Sequence, residues 1–129
     1  MSQLIRKVIT TPDSPLIQTT PTLIPGLSIY VLTGAGWIQL IGRILVQNAY
    51  AGVALPIIQF RIDGILQDLY SDSADQRSLA QNYWATLRNE VYIRLGAGEH
   101  TVELFGSTDQ VPVTIYKQNA TLTLYELGF

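Results

Sequence analysis

From Trp37 to Val46 the chain alternates without a break: Ile38, Leu40, Gly42, Ile44 and Val46 take one side, and Trp37, Gln39, Ile41, Arg43 and Leu45 take the other. Successive side chains of a strand point to opposite faces, so this pattern predicts a strand. Its first face is wholly apolar and its second half apolar. A strand apolar on both faces is usually covered on both.

The same period runs through most of the chain. Leu27, Ile29 and Val31 share a face, Gly34-Ala35-Gly36 turns the chain, and after Pro56 the residues Ile58, Phe60 and Ile62 alternate with Gln59, Arg61 and Asp63. Asp63-Gly64 is a turn dipeptide that favours a tight hairpin, with Ile65–Tyr70 as the returning strand. Val91, Ile93 and Leu95 alternate with Tyr92 and Arg94 and lead into a turn at Gly96–Gly98. Val102 and Leu104 then share a face with His100, opposite Thr101, Glu103 and Phe105. A turn at Ser107–Gln110 precedes Val111, Val113 and Ile115, and Thr121–Leu127 forms the closing strand. Ser71–Ser78 is polar and reads as a surface loop. Leu79–Arg88 is ambiguous, because Leu79, Tyr83, Trp84 and Leu87 also fit helical spacing; strand or irregular structure is expected from its surroundings. Eight or more short strands joined by turns predict an all-β sandwich or barrel.

Residues 1–26 stand apart from this pattern. Pro12, Pro15, Pro21 and Pro25 interrupt a threonine-rich stretch, and proline neither donates to a ladder nor lets its predecessor be helical. The segment reads as an extended arm, with the domain proper at 27–129. Leu4, Ile5, Leu16, Ile17, Leu23 and Ile24 are apolar and want a surface, on this domain or a neighbour; the alternative is a loose tail.

At 129 residues the chain makes one domain that buries roughly two-thirds of its unfolded surface. A net charge of −2 leaves no basic footprint for nucleic acid. Charged residues make up only 14%, and the mean hydropathy is +0.21. Soluble proteins rarely leave large apolar patches bare, so the balance predicts an oligomer. The absence of cysteine removes disulfides and thiolate metal sites. The stretch Ile38–Ile58 is the one apolar run long enough to suggest a membrane span, but it carries Arg43, Gln39, Gln47, Asn48 and Pro56, and no membrane partner is expected. The N-terminus shows no apolar signal region, so export through a signal peptide is not expected.

Three patterns together carry a family resemblance: Ile24-Pro25-Gly26-Leu27-Ser28-Ile29, Phe60-Arg61-Ile62-Asp63-Gly64, and Leu95-Gly96-Ala97-Gly98-Glu99-His100-Thr101-Val102-Glu103-Leu104 with Leu122-Thr123-Leu124-Tyr125-Glu126-Leu127. In this order they resemble the trimeric jelly rolls of the tumour-necrosis-factor/C1q type, in the small form found among bacteriophage structural proteins. The resemblance covers roughly residues 24 to 128. It implies a two-sheet jelly roll with an N-terminal arm, assembled as a homotrimer through one sheet. On that resemblance the strands 57–63, 99–105 and 121–127 would share the trimer-facing sheet. Trp37, Gln59, Arg61, Thr101, Glu103, Thr123, Tyr125 and Leu127 would be its interface residues. Arg61 and Glu103 would pair across adjacent strands or between subunits, and Arg61→Glu would disperse the trimer.

Little chemistry is written into the residues. His100 is the only histidine, so a general acid, a triad base and a metal ligand would all have to be this one side chain. A hydrogen-bonded structural histidine is the ordinary outcome at such a strand start; three copies meeting near a threefold axis to hold a metal or anion is the sharper alternative. Asp63, Asp68, Asp72 and Asp75 lack EF-hand spacing and read as solvated acids. Gly34-Ala35-Gly36 lacks the rest of a dinucleotide fingerprint and is a turn. Asn119-Ala120-Thr121 matches a glycosylation triplet without a secretion signal. The seven tyrosines and two tryptophans suit an interface or simply strands. No enzymatic activity, cofactor or metal is expected. The resemblance implies a virion structural protein: a capsid cement or decoration protein, made in the host cytoplasm, with itself and the major capsid protein as partners, the latter bound through Leu4, Ile5, Leu16, Ile17, Leu23 and Ile24 of the arm. The alternative is a receptor- or carbohydrate-binding head of a tail fibre.

Overall fold

The computed structural model describes residues 4–9, 16–67, 74–116 and 120–127. In chain order its strands are β1 (Leu4–Ile9), β2 (Thr22–Thr33), β3 (Gly36–Asn48), β4 (Pro56–Ile62), β5 (Ile65–Leu66), β6 (Ala74–Gln76), β7 (Trp84–Leu95), β8 (Gly98–Thr108), β9 (Val113–Ile115) and β10 (Thr121–Glu126). The described residues contain no helix, and the segment from Leu79 with helical spacing enters β7 at Trp84.

Two antiparallel sheets face each other. One has the order β1-β10-β3-β7, with β9 also on β3; the other has the order β2-β8-β4-β5, with β6 also on β4. We call them the β3 sheet and the β8 sheet. Their facing sides hold the core. Ile38, Leu40, Ile44, Val46, Leu87, Leu122 and Leu124 come from the β3 sheet; Leu27, Ile58, Phe60, Val102 and Leu104 come from the β8 sheet, all fully buried or nearly so. Each such side chain gains about 1.5–3 kcal/mol from leaving water, and this apolar contact holds the layers together in the absence of any disulfide. Gly42 marks a close approach of the sheets: a Cβ there would lie 2.8 Å from Leu104 Cδ1 and 3.2 Å from Phe60 Cε1.

Local chemistry sets the turns. Asp63 and Gly64 both have positive φ, 50° and 83°, the conformation a two-residue hairpin requires, and β4 turns there into β5. In β2 the pairing with β8 shifts register between Leu23 and Ser28. Pro25 has no N–H for the ladder and Gly26 has a φ of 86°, so the irregularity falls where the ladder is weakest.

Three expectations are corrected here. The strands 99–105 and 121–127 are not neighbours: β8 lies between β2 and β4, whereas β10 lies between β1 and β3 in the opposite sheet. Alternation shows which side of a strand faces the core but not which layer it joins. The described residues within 1–26 are built into the domain. Leu4–Ile9 is a strand on β10, Ile17 and Ile24 are core residues, and a boundary at residue 27 falls inside β2. The polar run 71–78 holds β6, which extends the β8 sheet by pairing Ile57–Gln59 with Gln76–Ala74; its first residues, like Asp68, Tyr70 and Asp72, lie outside the described residues.

Candidate functional site

The outward side of the β3 sheet is the surface that sequence alternation leaves half apolar. Along β3 it presents Trp37, Gln39, Ile41, Arg43 and Leu45. In register on β7 stand Arg94, Tyr92, Glu90, Arg88 and Thr86, and on β10 Tyr125, Thr123 and Thr121 face Gln39, Ile41 and Arg43. Aromatic residues gather at both ends. Trp37, Tyr92 and Tyr125 surround Gln39 at one end, with the Leu127 N–H donating to the Trp37 carbonyl at 3.1 Å. At the other end the rings of Trp84 and Tyr116 lie 4.4 Å apart at 36°. Trp37, Trp84 and Tyr92 remain exposed in the single chain.

A polar node sits between the aromatic ends. Glu90 accepts hydrogen bonds from Gln39 Nε2, from an Arg88 guanidinium nitrogen at 2.9 Å and from the Tyr92 hydroxyl at 3.4 Å. Gln39 Nε2 also reaches the Tyr92 hydroxyl at 3.0 Å. Arg88 first, then Gln39, with Tyr92 adding a little, hold the Glu90 carboxyl below the usual carboxylate range against a small opposing effect of burial. Asp75, from β6, accepts the backbone N–H of Arg88 at 2.9 Å. A side chain from the opposite layer thereby occupies a donor on the free edge of β7.

The expected interface residues divide between two surfaces. Trp37, Thr123, Tyr125 and Leu127 belong to the β3 sheet and its end; Gln59, Arg61, Thr101 and Glu103 belong to the β8 sheet. The two sets lie on opposite layers of the sandwich and cannot form one flat interface. Arg61 and Glu103 do pair across adjacent strands, at 3.9 Å, with the Arg61 guanidinium 5.1 Å above the Phe105 ring. Gln59 is mostly buried and donates to the Gln67 carbonyl at 2.9 Å.

The expected capsid-binding residues divide as well. Leu4 and Ile5 lie in β1 opposite Glu126 and Tyr125, Ile17 and Ile24 are buried, Leu23 is half-buried and Leu16 is exposed. Core residues cannot reach to another subunit without opening the fold, so Ile17 and Ile24 are unavailable to such an arm.

His100 has a partner on each ring nitrogen: Asp63 Oδ2 at 2.7 Å and the Gly96 carbonyl at 2.7 Å. Among the described residues no group of three or more histidine or carboxylate side chains is placed to hold a metal ion. Asn119 of the glycosylation triplet lies outside them.

Sequence reading missed Asn48, which ends β3 fully buried. Its Nδ2 donates to the carbonyls of Gly52 and Leu79 at 2.8 and 2.9 Å, and its Oδ1 accepts the Tyr50 N–H at 2.8 Å. The signal was present: after Ile44 and Val46, residue 48 falls on the inward side, and a polar group there must be saturated by hydrogen bonds. Around Asn48 the loops expose Val53, Tyr83 and Val111.

No protein-family model matches the chain, and no curated protein matches it. Solved structures do. Eiger TNF from S. frugiperda is 9% identical with a TM-score of 0.62, over 99% of this chain and 94% of that one. Murine APRIL at pH 5.0 is 11% identical with a TM-score of 0.61, over 98% of this chain and 100% of that one. Murine APRIL at pH 8.0 is 9% identical with a TM-score of 0.62, over the same shares of the two chains. At such identities the likeness is one of architecture, and it agrees with the two antiparallel sheets: the chain has the TNF-like jelly-roll fold.

Proposed function

We propose that this chain is a non-enzymatic structural protein that assembles as a homotrimer through the outward side of its β3 sheet. The observation that carries the reading is the composition of that side: Trp37, Tyr92 and Tyr125 at one end, Trp84 and Tyr116 at the other, and Ile41 and Leu45 between, with no layer above them among the described residues. Large aromatics with polar tips, around a self-satisfied polar node, are what a subunit interface uses. The low charge of the whole chain supports the same reading. Sedimentation or light scattering is the test. The native protein has the mass of a trimer, and the double variant Trp37→Ala, Tyr92→Ala, which removes two exposed rings, falls to the monomer. A monomeric native protein, or a variant that keeps the trimer mass, overturns it.

In this reading the trimer is a cement protein on a virion shell, with the major capsid protein as its partner. The patterns at Ile24–Ile29, Phe60–Gly64 and Leu95–Leu104 support it by resemblance. Repetition over a shell turns weak single contacts into strong attachment. Copy number in purified particles tests the assignment: parity with the shell protein is expected, and absence from particles overturns it. A second reading, a carbohydrate-binding head, is favoured by Tyr83 and Trp84, consecutive exposed rings beside Tyr116. Binding of the isolated protein on a glycan array would select it.

A further inference from the structure

The two ends of the sandwich differ in kind. One is the Asn48 end, with its exposed apolar loops. At the other, β8 places His100 on the inward side, two residues before Val102, and its ring is mostly covered, with 13% of the side chain exposed. Both of its nitrogens face oxygen atoms that only accept: the carboxylate of Asp63 and the backbone carbonyl of Gly96, each at 2.7 Å. A neutral imidazole has a single N–H, so one nitrogen lone pair would then point at an oxygen lone pair. Only the doubly protonated ring satisfies both contacts. The second oxygen of Asp63 accepts the Thr101 N–H at 2.9 Å, and the Asp63 N–H donates to the Thr101 carbonyl at 2.8 Å. An unbroken hydrogen-bond chain thus runs from the β7–β8 turn, through the ring, to the β4–β5 turn and back into β8.

We propose that this end of the sandwich is a proton-gated latch, in which the His100 imidazolium clips the β7–β8 turn to the β4–β5 turn and loss of its proton releases them. The inference stands independently of trimer formation.

The surroundings favour the charged ring. Asp63 faces it directly. Val31, its register partner on β2, is apolar. Glu99 lies on the other side of β8, where it acts on the Tyr30 phenol and raises its pKa. Across the sandwich Glu126 is occupied by the Gly34 N–H at 3.0 Å. The cations Arg61 and Arg94 point outward, Arg61 toward Glu103. The hydrogen bond to Asp63, then the Gly96 carbonyl, then the Asp63 charge raise the His100 pKa above the ordinary imidazole value, against an opposing effect of partial burial. The stabilisation is therefore complete below about pH 6.5 and is lost as pH rises through the higher folded value. The latch also holds a strained turn, since Asp63 is a non-glycine residue at a φ of 50°.

Because His100 is the only histidine, a nuclear magnetic resonance titration of the intact chain reads one imidazole without assignment ambiguity. The expected midpoint lies above the ordinary imidazole value, with both ring nitrogens protonated below that midpoint, and Asp63→Asn moves it down. Across the same titration, exchange at the Thr101 amide, corrected for intrinsic rates, rises about tenfold or more relative to the Val102 and Leu104 amides. His100→Gln, which has no titrating group, abolishes that pH dependence and controls for general loosening. A midpoint at or below the ordinary value, a midpoint unmoved by Asp63→Asn, or a Thr101 amide that follows the core throughout overturns the latch.

Discussion

Arg61 and Glu103 stand directly opposite each other on β4 and β8, 3.9 Å apart on the outward side of the β8 sheet. The pair joins two strands of one subunit. It lies on the layer opposite the aromatic surface of the β3 sheet. Arg61→Glu places like charges across the ladder, beside a Glu103 side chain only 17% exposed, and weakens the fold by about 1 kcal/mol. It leaves the association state unchanged. The sequence alone led to the opposite expectation, dispersal of a trimer. Sedimentation of this variant beside the Trp37, Tyr92 double variant separates the two surfaces: loss of assembly in Arg61→Glu would return the interface to the β8 sheet.

Asn48 organises the far end of the molecule. Three side-chain hydrogen bonds tie its amide to Gly52, Leu79 and the Tyr50 N–H, and its backbone takes up Tyr83 and Asn82. Asn48→Leu fits the inward side by polarity but leaves the Gly52 carbonyl and the Tyr50 N–H without partners, and takes from the Leu79 carbonyl one of its two donors, the Ala54 N–H remaining. The expected cost is about 2–4 kcal/mol, read as a lower urea midpoint. Asn48→Asp is at least as severe, because its second oxygen would oppose both carbonyls. A midpoint within error of the parent for either variant would show that the loops hold themselves.

Asn89 is the converse case. It lies on the inward side of β7 in register with Gly42, it is buried, and its Nδ2 has no hydrogen-bond partner among the described residues. An unsatisfied buried donor costs about 1–3 kcal/mol. Asn89→Leu is therefore neutral or stabilising by about 1 kcal/mol, despite changing a polar core residue to an apolar one. A fall of the thermal midpoint on this substitution would mean that the amide is satisfied in solution. Gly42→Val, on the same register line, behaves oppositely: its new methyl groups meet Leu104 and Phe60, and the overpacking costs about 1–3 kcal/mol.

These residues show how far the sequence could be read. The period-two pattern placed Ile38, Leu40, Ile44 and Val46 inward, and they are buried; the Asp63-Gly64 dipeptide is the turn it was expected to be. Layer membership was not legible, because β8 and β10 carry the same alternation although they lie in opposite sheets. Pairing is decided by contacts far apart in the chain, such as Leu4–Ile9 on Glu126–Thr121. Proline content misled at the N-terminus. Pro21 and Pro25 are tolerated at a strand entrance and at a bulge, and Ile17 and Ile24 take core positions on either side of Pro21. The surface proposed for assembly was half legible: Trp37, Thr123, Tyr125 and Leu127 belong to it, but Tyr92, Trp84 and the Glu90 node join only through the β3–β7 register.

The ionisable groups shape stability in pH. Partial burial pushes the Asp63 carboxyl up, but the His100 hydrogen bond, the Thr101 N–H and the imidazolium charge together hold it below the ordinary value. Arg88 and Gln39 do the same for Glu90. Both carboxyls therefore stabilise the fold above the ordinary carboxylate range, and that contribution is lost as pH falls through their lowered folded values. His100 has the reverse sign, and its contribution is lost as pH rises through its raised folded value. The thermal midpoint should be highest between about pH 5 and about pH 6.5, declining on both sides. Glu90→Gln keeps a hydrogen-bond acceptor without the charge, so it flattens the acid decline and leaves the alkaline one as it is. Asp63→Asn alters both, because the same carboxylate supports its own ionisation and that of His100. Thermal melts of the parent and both variants from about pH 3 to about pH 9 distinguish these effects. An alkaline decline that persists unchanged in Asp63→Asn would place its origin outside the pair.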